Sequence, residues 1–182
     1  MEEEQKSLID KANKIGSLLN GSWTIDQERL DGGYPGVFIN GPEDKSLQFR
    51  IRWANTERLE ISGSYRNGLN QHLPYDREKT KITVAKSKTY EQIAKDIERR
   101  LMPPYERVLA RARELKVKAD AYENEKMKAL EAVKEAMGEG ASIRQDEVIR
   151  YSPFCRAKCY GNEIKIELEL PVDKAVEILR QI

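Results

Sequence analysis

The sequence predicts an α+β fold: an antiparallel sheet packed by short helices, with one long helix linking to a C-terminal β-hairpin plus helix. Three observations carry that expectation. Residues 47–65 alternate apolar and polar side chains with the period of two that a half-buried strand requires, and residues 164–170 do the same. Residues 3–19 and 93–101 instead repeat apolar side chains every three or four positions, the spacing of one helix face. Between Pro104 and Gly138 there is neither glycine nor proline, so nothing there ends a helix that starts at Pro104.

Leu8, Ile9, Ala12, Ile15 and Leu19 line one face of the first helix, and Asn20-Gly21 ends it. Trp23 and Ile25 then alternate with polar residues as a short strand. The glycine-rich LDGGYPG at residues 30–36 reads as a turn, residues 37–40 as a strand, and NGPED at residues 40–44 as a second turn. The clearest hairpin follows. Leu47, Phe49, Ile51 and Trp53 point to one face and Gln48, Arg50 and Arg52 to the other, and Leu59, Ile61 and Tyr65 resume the apolar set. Pairing Trp53 with Leu59 keeps both apolar sets on one face and places Arg52 opposite Glu60. Residues 66–80 are polar and loop-like, and Ile82 and Val84 mark another strand. Thr89 can cap a helix, with Gln92 three residues on completing a capping box, and Ile93, Ile97 and Leu101 form that helix's stripe.

In RRLMPPYERVLARARELK, residues 99–116, Pro103 disfavours helical geometry at Met102, and Pro104 does the same at Pro103. That predicts a helix stop near Leu101 or Met102 and a restart with Pro104 in the first helical position. The restarted helix would hold ~34 residues and span ~51 Å. Tyr105, Val108, Ala112, Leu115, Ala119 and Tyr122 follow the alternating three-and-four spacing of a heptad seam. Lys126 interrupts it, and Met127, Leu130, Val133 and Met137 continue on a shifted stripe. An isolated helix would leave Leu115 and Tyr122 in water. The seam is therefore expected to be covered, either by the protein's own sheet and first helix or by a second copy in a homodimer.

Gly161-Asn162 is a two-residue hairpin signal, and Pro171 can open a last helix with the stripe Val172, Ala175, Val176, Leu179 and Ile182. KITVAKSKTYEQIAKDI and IKIELELPVDKAVEIL are each a strand leading into a helix with similar apolar spacing, but their identity is too low to prefer duplication over chance. The expected organisation is an N-terminal α+β part at 1–103, the long helix at 104–138 and a hairpin–helix part at 139–182, forming one composite domain.

Composition narrows the function. The chain has 182 residues, with 32 Lys+Arg against 31 Asp+Glu, so a uniformly basic nucleic-acid coat is not expected, although a local patch is. No apolar run approaches the ~20 residues of a membrane span, so no membrane partner is expected. MEEEQKSLIDK is acidic and amphipathic, unlike a signal peptide, and two cysteines do not make a disulfide scaffold. The expected location is cytoplasmic.

No catalytic motif is found, and no catalytic residue, metal ligand or cofactor is assigned. Cys155 and Cys159 are four apart on a strand, roughly 13 Å at ~3.3 Å per residue, too far to bridge; they read as small core residues. Zinc wants four ligands, and the remaining histidine, His72, is distant in sequence and lies in a polar loop with no nucleophile elbow nearby. DGGYPG and MGEGAS lack the Lys-Ser/Thr of a phosphate-binding loop. The E-x-K strings at residues 43–45 and 114–116 fall in a turn and a helix and do not cluster carboxylates.

The helix charges carry more. Lys95, Arg99, Arg100, Arg107, Arg111, Arg113, Lys116 and Lys118 outnumber Asp96, Glu98, Glu106 and Glu114, a surplus of +4; residues 120–139 carry −3. The candidate partner- or phosphate-binding residues are Arg99, Arg100, Arg107, Arg111 and Lys118. Acids at Glu106 and Glu114 interrupt the patch, and aromatics that stack on bases are sparse, which favours a protein partner over a phosphate backbone.

LQFRIRWANTERLEISGSY followed by KITVAKSKTYEQIAKDIERRLMPPYERVLARA resembles uncharacterised proteins of phages, prophages and related mobile elements, over residues 47–112. The shared pattern is an R-x-W-like hairpin, an ITV strand, then an I-A-x-D-I-x-R-R-L helix ending before a proline. The resemblance implies a small accessory protein that acts on a host or phage macromolecule. The expected function is therefore a non-enzymatic binding protein, in particular an inhibitor of a host-defence (CRISPR-type) complex, with a protein or nucleoprotein partner. The alternative is a nucleic-acid-binding accessory factor that uses the basic helical corner.

Overall fold

A computed structural model describes residues 2–52, 55–145, 147–151, 154–160 and 163–169. The chain divides into two compact units, Met1–Lys116 and Val117–Ile182. The first unit is built on a five-stranded antiparallel meander, β1 Thr24–Ile25, β2 Val37–Asn40, β3 Ser46–Arg52, β4 Asn55–Ser64 and β5 Lys81–Ala85, paired in chain order. Alternation sorts its side chains. Val37, Ile39, Leu47, Phe49, Leu59, Ile61, Ile82 and Val84 form the buried face. The opposite face pairs Gln48 with Ser62 and Arg50 with Glu60. Phe38 also lies on that second face and stays buried there, because the Arg29 guanidinium stacks 4.6 Å above its ring and Tyr34 meets it edge-on.

Helix α1, Glu2–Gly16, lays Leu8, Ala12 and Ile15 on the buried face, and Leu19 follows in the turn after it. A short helix that the pattern did not predict, α2 Gln27–Asp31, starts at Asp26, whose carboxylate accepts the Arg29 N–H. Helix α3, Tyr90–Asp96, carries the expected capping box: Thr89 Oγ1 accepts the Gln92 N–H, and Gln92 Oε1 accepts the Thr89 N–H.

The hairpin register departs from expectation. Leu59 lies opposite Ile51 rather than Trp53, and Glu60 opposite Arg50 rather than Arg52. A slide of two residues leaves every side chain on its own face, so the apolar pattern cannot choose between the registers. Arg50 supplies the same charge pairing as Arg52, and an irregularity between Ile51 and Arg52 takes up the slack. Trp53 itself lies outside the described residues.

The predicted stop before the double proline does not occur. Helical backbone continues from α3 through one wide π turn, Ile97–Leu101, directly into α4, Met102–Met137. Met102 N–H donates to Ile97 O, five residues back. Pro103 and Pro104 have no N–H to give, and a wide turn relieves the clash of their rings with the preceding turn. The turn also answers a geometric demand. Ile93, Ile97, Leu101, Tyr105 and Leu109 are all buried, at steps of four. In a regular α-helix each such step drifts by about 40° around the axis, at ~3.6 residues per turn. One π turn removes much of that drift and keeps the stripe on the sheet.

Tyr105 is the anchor of α4. Its ring lies where a Cβ at Gly63 on β4 would stand, so only glycine fits beneath it. Its hydroxyl donates to Ser64 O at 2.7 Å and accepts the Ser46 N–H at 2.9 Å. Ser46 and Ser64 face one another across β3 and β4, so one phenol closes the end of that ladder. Tyr65 meets the ring edge-on at 5.5 Å. Beside it Lys45 Nζ reaches Glu106 at 2.7 Å, and Arg113 donates to the Glu43 carbonyl, so the tight turn before β3 is held by α4 from three positions.

In the second unit the expected hairpin is present as the last two strands of a four-stranded antiparallel meander, β6 Ser142–Arg144, β7 Glu147–Tyr151, β8 Phe154–Tyr160 and β9 Glu163–Leu168. Leu130 of α4 and Val148 of β7 are buried together, flanked by Val133, Met137 and Ile143. The predicted Gly161-Asn162 turn and the predicted last helix lie outside the described residues.

Removing the Tyr105 hydroxyl leaves a backbone donor and a backbone acceptor short of a partner. Tyr105→Phe is expected to cost about 1–3 kcal/mol in urea unfolding, and Gly63→Ala at least as much. Burial pushes the Tyr105 phenol up to about 12. Its unfolded value is about 10. The folded state therefore keeps this contribution in full below pH ~10 and loses it as pH rises toward ~12. In an alkaline titration followed by phenolate absorbance and circular dichroism, ionisation of this tyrosine should coincide with unfolding.

Candidate functional site

The five basic residues singled out from the sequence fall into three settings. Arg99 and Arg100 sit on the π turn and lean back onto Asp96, at 3.3 and 3.7 Å. Asp96 is buried at the end of α3, and its principal partner is Lys88, whose Nζ lies 2.5 Å from Oδ2. Asp96 thus collects three cations, one from the tight turn after β5 and two from the next helical turn. The Lys88 hydrogen bond, helped by the charges of Lys88, Arg100 and Arg99, holds its carboxyl below the usual range. An open groove of about 670 Å³ runs alongside, lined by Lys88, Gln92, Lys95, Asp96, Glu98 and Arg99. Glu98 Oε1 also accepts the Asn20 N–H and so ties the π turn to the chain leaving α1.

Arg107 occupies the second setting. It grips Glu78 with two parallel hydrogen bonds of 2.8 and 2.7 Å. The pairing raises the Arg107 pKa and lowers that of Glu78, so both are fully charged at neutral pH. Arg111 and Lys118 form the third setting, both exposed and seven residues apart on α4, about two turns. The single positive corner expected from the sequence is therefore partly neutralised by the protein's own acids. The stop and restart that the prolines were expected to set between Arg100 and Arg107 are replaced by one continuous helical path. Lys88 and Glu78, the partners that decide these settings, were not among the sequence candidates. Asp96 could have been found, since basic residues stand three and four positions after it on a helix.

The seam residues divide as sharply. Tyr105, Val108 and Ala112 are buried, as is Leu109, which the heptad spacing had passed over. Further along, Ala119 is half-buried, Leu115 is 37% exposed and Tyr122 is 51% exposed. Val117 and Met127 are exposed as well. The first two turns of the seam are thus covered by the protein's own sheet, and the seam then emerges.

Cys155 is buried on β8, with β7 on one side and β9 on the other. The Cys159 side chain lies outside the description. His72 ends a short 3-10 turn, Leu69–His72, and is half-buried. Among the described residues no three His, Cys, Asp or Glu side chains gather as a metal site, and no helix is long and apolar enough to cross a membrane. No family model, characterised protein or solved structure matches the chain.

The Asp96 cluster generates a pH dependence with a definite sign. A carboxyl held below its unfolded value of about 4 stabilises the fold above that value, and the contribution is lost as pH falls through the lower folded value. Asp96→Asn should lower the melting temperature at neutral pH and narrow the gap to wild type in acid. Parallel thermal melts across pH read this directly.

Proposed function

We propose that this chain is a non-enzymatic binding protein whose partner is another protein. The observation that supports this reading is the emergence of the α4 seam. Near the end of the first unit Leu115 is 37% exposed with Arg111 exposed one turn before it, and near the start of the second Tyr122 is 51% exposed with Lys118 exposed one turn before it. Exposed apolar or aromatic surface beside a basic side chain is the composition of a protein interface, and each pair suits a partner with acidic side chains. The resemblance of residues 47–112 to accessory proteins of phages and mobile elements supports a more particular form of the proposal. In that form the partner belongs to a host-defence complex of the CRISPR type and binding inhibits it.

A second reading, a nucleic-acid-binding accessory factor, draws on the same Arg111 and Lys118. Three of the five basic candidates weigh against it, because Arg99, Arg100 and Arg107 already face Asp96 or Glu78. A phosphate would have to displace those acids.

One paired comparison separates the readings. The tagged full-length chain is offered nuclease-treated bacterial lysate, and the same preparations are added to a cleavage assay of a CRISPR-type complex. Wild type should retain its partner after nuclease treatment and slow cleavage. Leu115→Glu/Tyr122→Glu should do neither while melting within a few degrees of wild type, since both residues are exposed. Capture that nuclease abolishes, with DNA affinity falling by ~0.9 log unit per log unit of salt for each phosphate met, would support the nucleic-acid reading instead.

A further inference from the structure

The two sheets have four edges, and β9 is unlike the other three. β1 is two residues long and β6 three, and short edges offer little to pair with. β5 buries Ile82 and Val84. β9 is six residues long, pairs with β8 alone among the described residues, and exposes five residues in succession, Glu163 to Glu167. Its register sets Ile166 opposite the buried Ala157 and Ile164 opposite Cys159. The isoleucines therefore continue the face that carries Val148, Cys155 and Ala157 on the inner strands. They do so at the margin, 43% and 55% exposed for Ile164 and Ile166. Glu163, Lys165 and Glu167 take the other face, where Lys165 Nζ lies 2.9 Å from Glu167.

Read antiparallel against itself, this strand is complementary in one register. With Ile166 facing Ile166 of a second copy, Lys165 faces Glu167 and Glu167 faces Lys165, while Ile164 faces position 168. Centring on Lys165 instead sets lysine against lysine and Glu163 against Glu167, so every charged pair repels. Centring on Ile164 leaves Ile166 opposite position 162, beyond the strand. The favoured register places Glu163 opposite Glu169, but Glu169 lies just past the end of β9. A two-fold axis through Ile166 makes the contact closed and isologous.

We infer that β9 is the edge by which two copies of this chain pair, joining their four-stranded sheets into one eight-stranded antiparallel sheet. The occupant of this edge is a second copy because its own charge order answers itself, and the apolar faces of both copies fall on the same side. A contact of one strand edge is small, so the dimer dissociates on dilution. This surface is distinct from the α4 seam, and Leu115→Glu/Tyr122→Glu leaves it intact.

Charge swaps at exposed positions test the pairing without disturbing the core. Sedimentation velocity of the full chain should show a monomer–dimer equilibrium. Lys165→Glu alone and Glu167→Lys alone should each be monomeric, because each sets like charges opposite one another. Mixing the two variants should restore the dimer, since every such pair then joins a lysine to a glutamate, and a misfolded variant could not be rescued this way. Ile166→Cys should cross-link to itself on oxidation, its mate lying directly opposite, whereas Ile164→Cys should not. A wild type that stays monomeric at the highest attainable concentration overturns the inference. So does a dimer indifferent to both swaps.

Discussion

The first unit depends on a phenol pressed onto a glycine. Tyr105 is the one α4 side chain that both fills the core and hydrogen-bonds two strands. It does so at the place where β3 begins and β4 ends. Gly63 is the other half of the contact, because any side chain there would occupy the ring's position. The remaining links between α4 and the turn before β3, from Glu106 and Arg113, are surface interactions of small individual weight. They fall into place once the ring is seated. The fit also explains why a helix rich in charge stays on the sheet at all: within its first three turns it presents Tyr105, Val108, Leu109 and Ala112 inward and almost nothing else.

That seating requires the helix to arrive in the right rotational phase. The π turn supplies it, and the same turn projects Arg99 and Arg100 back onto Asp96. Packing and surface electrostatics are thereby set by one irregularity in the backbone. The basic candidates cannot be treated as independent points of charge, since three of them are committed to acids within the chain. Arg111 and Lys118 stay exposed on α4, each one turn before an exposed apolar or aromatic side chain, Leu115 and Tyr122.

Much of this architecture was legible in the residues. Alternation marked β3, β4, β5 and β9, a short apolar run marked β2, and Thr89 with Gln92 announced the start of α3 to the residue. The rest was hidden for identifiable reasons. The β3–β4 register has two solutions two residues apart that alternation cannot tell from one another. α2 and β6 are too short to show a period. The proline rule was applied locally at Met102, where a wider turn satisfies it without ending the helix. The signal for that turn was present as an unbroken run of steps of four, from Ile93 to Leu109, but heptad spacing directed attention to Val108 instead. At the site, the arginines were visible as charge, whereas their settings depend on Glu78 and Lys88, which only the fold brings near.

The π turn also works as a counting device. A surface loop such as the one spanning residues 66–80 can gain or lose a residue and still deliver the next strand to its place. The wide turn of Ile97–Leu101 holds one residue more than the α turn it replaces. Tightening the same residues into an ordinary helix would rotate everything after them by about 100°, at ~3.6 residues per turn. Tyr105 would swing off Gly63, and Arg107 would leave Glu78. Deleting one exposed residue at the same time would return the helix to nearly its present phase, so this segment should tolerate a one-residue deletion better than it tolerates its full length being drawn into a regular helix.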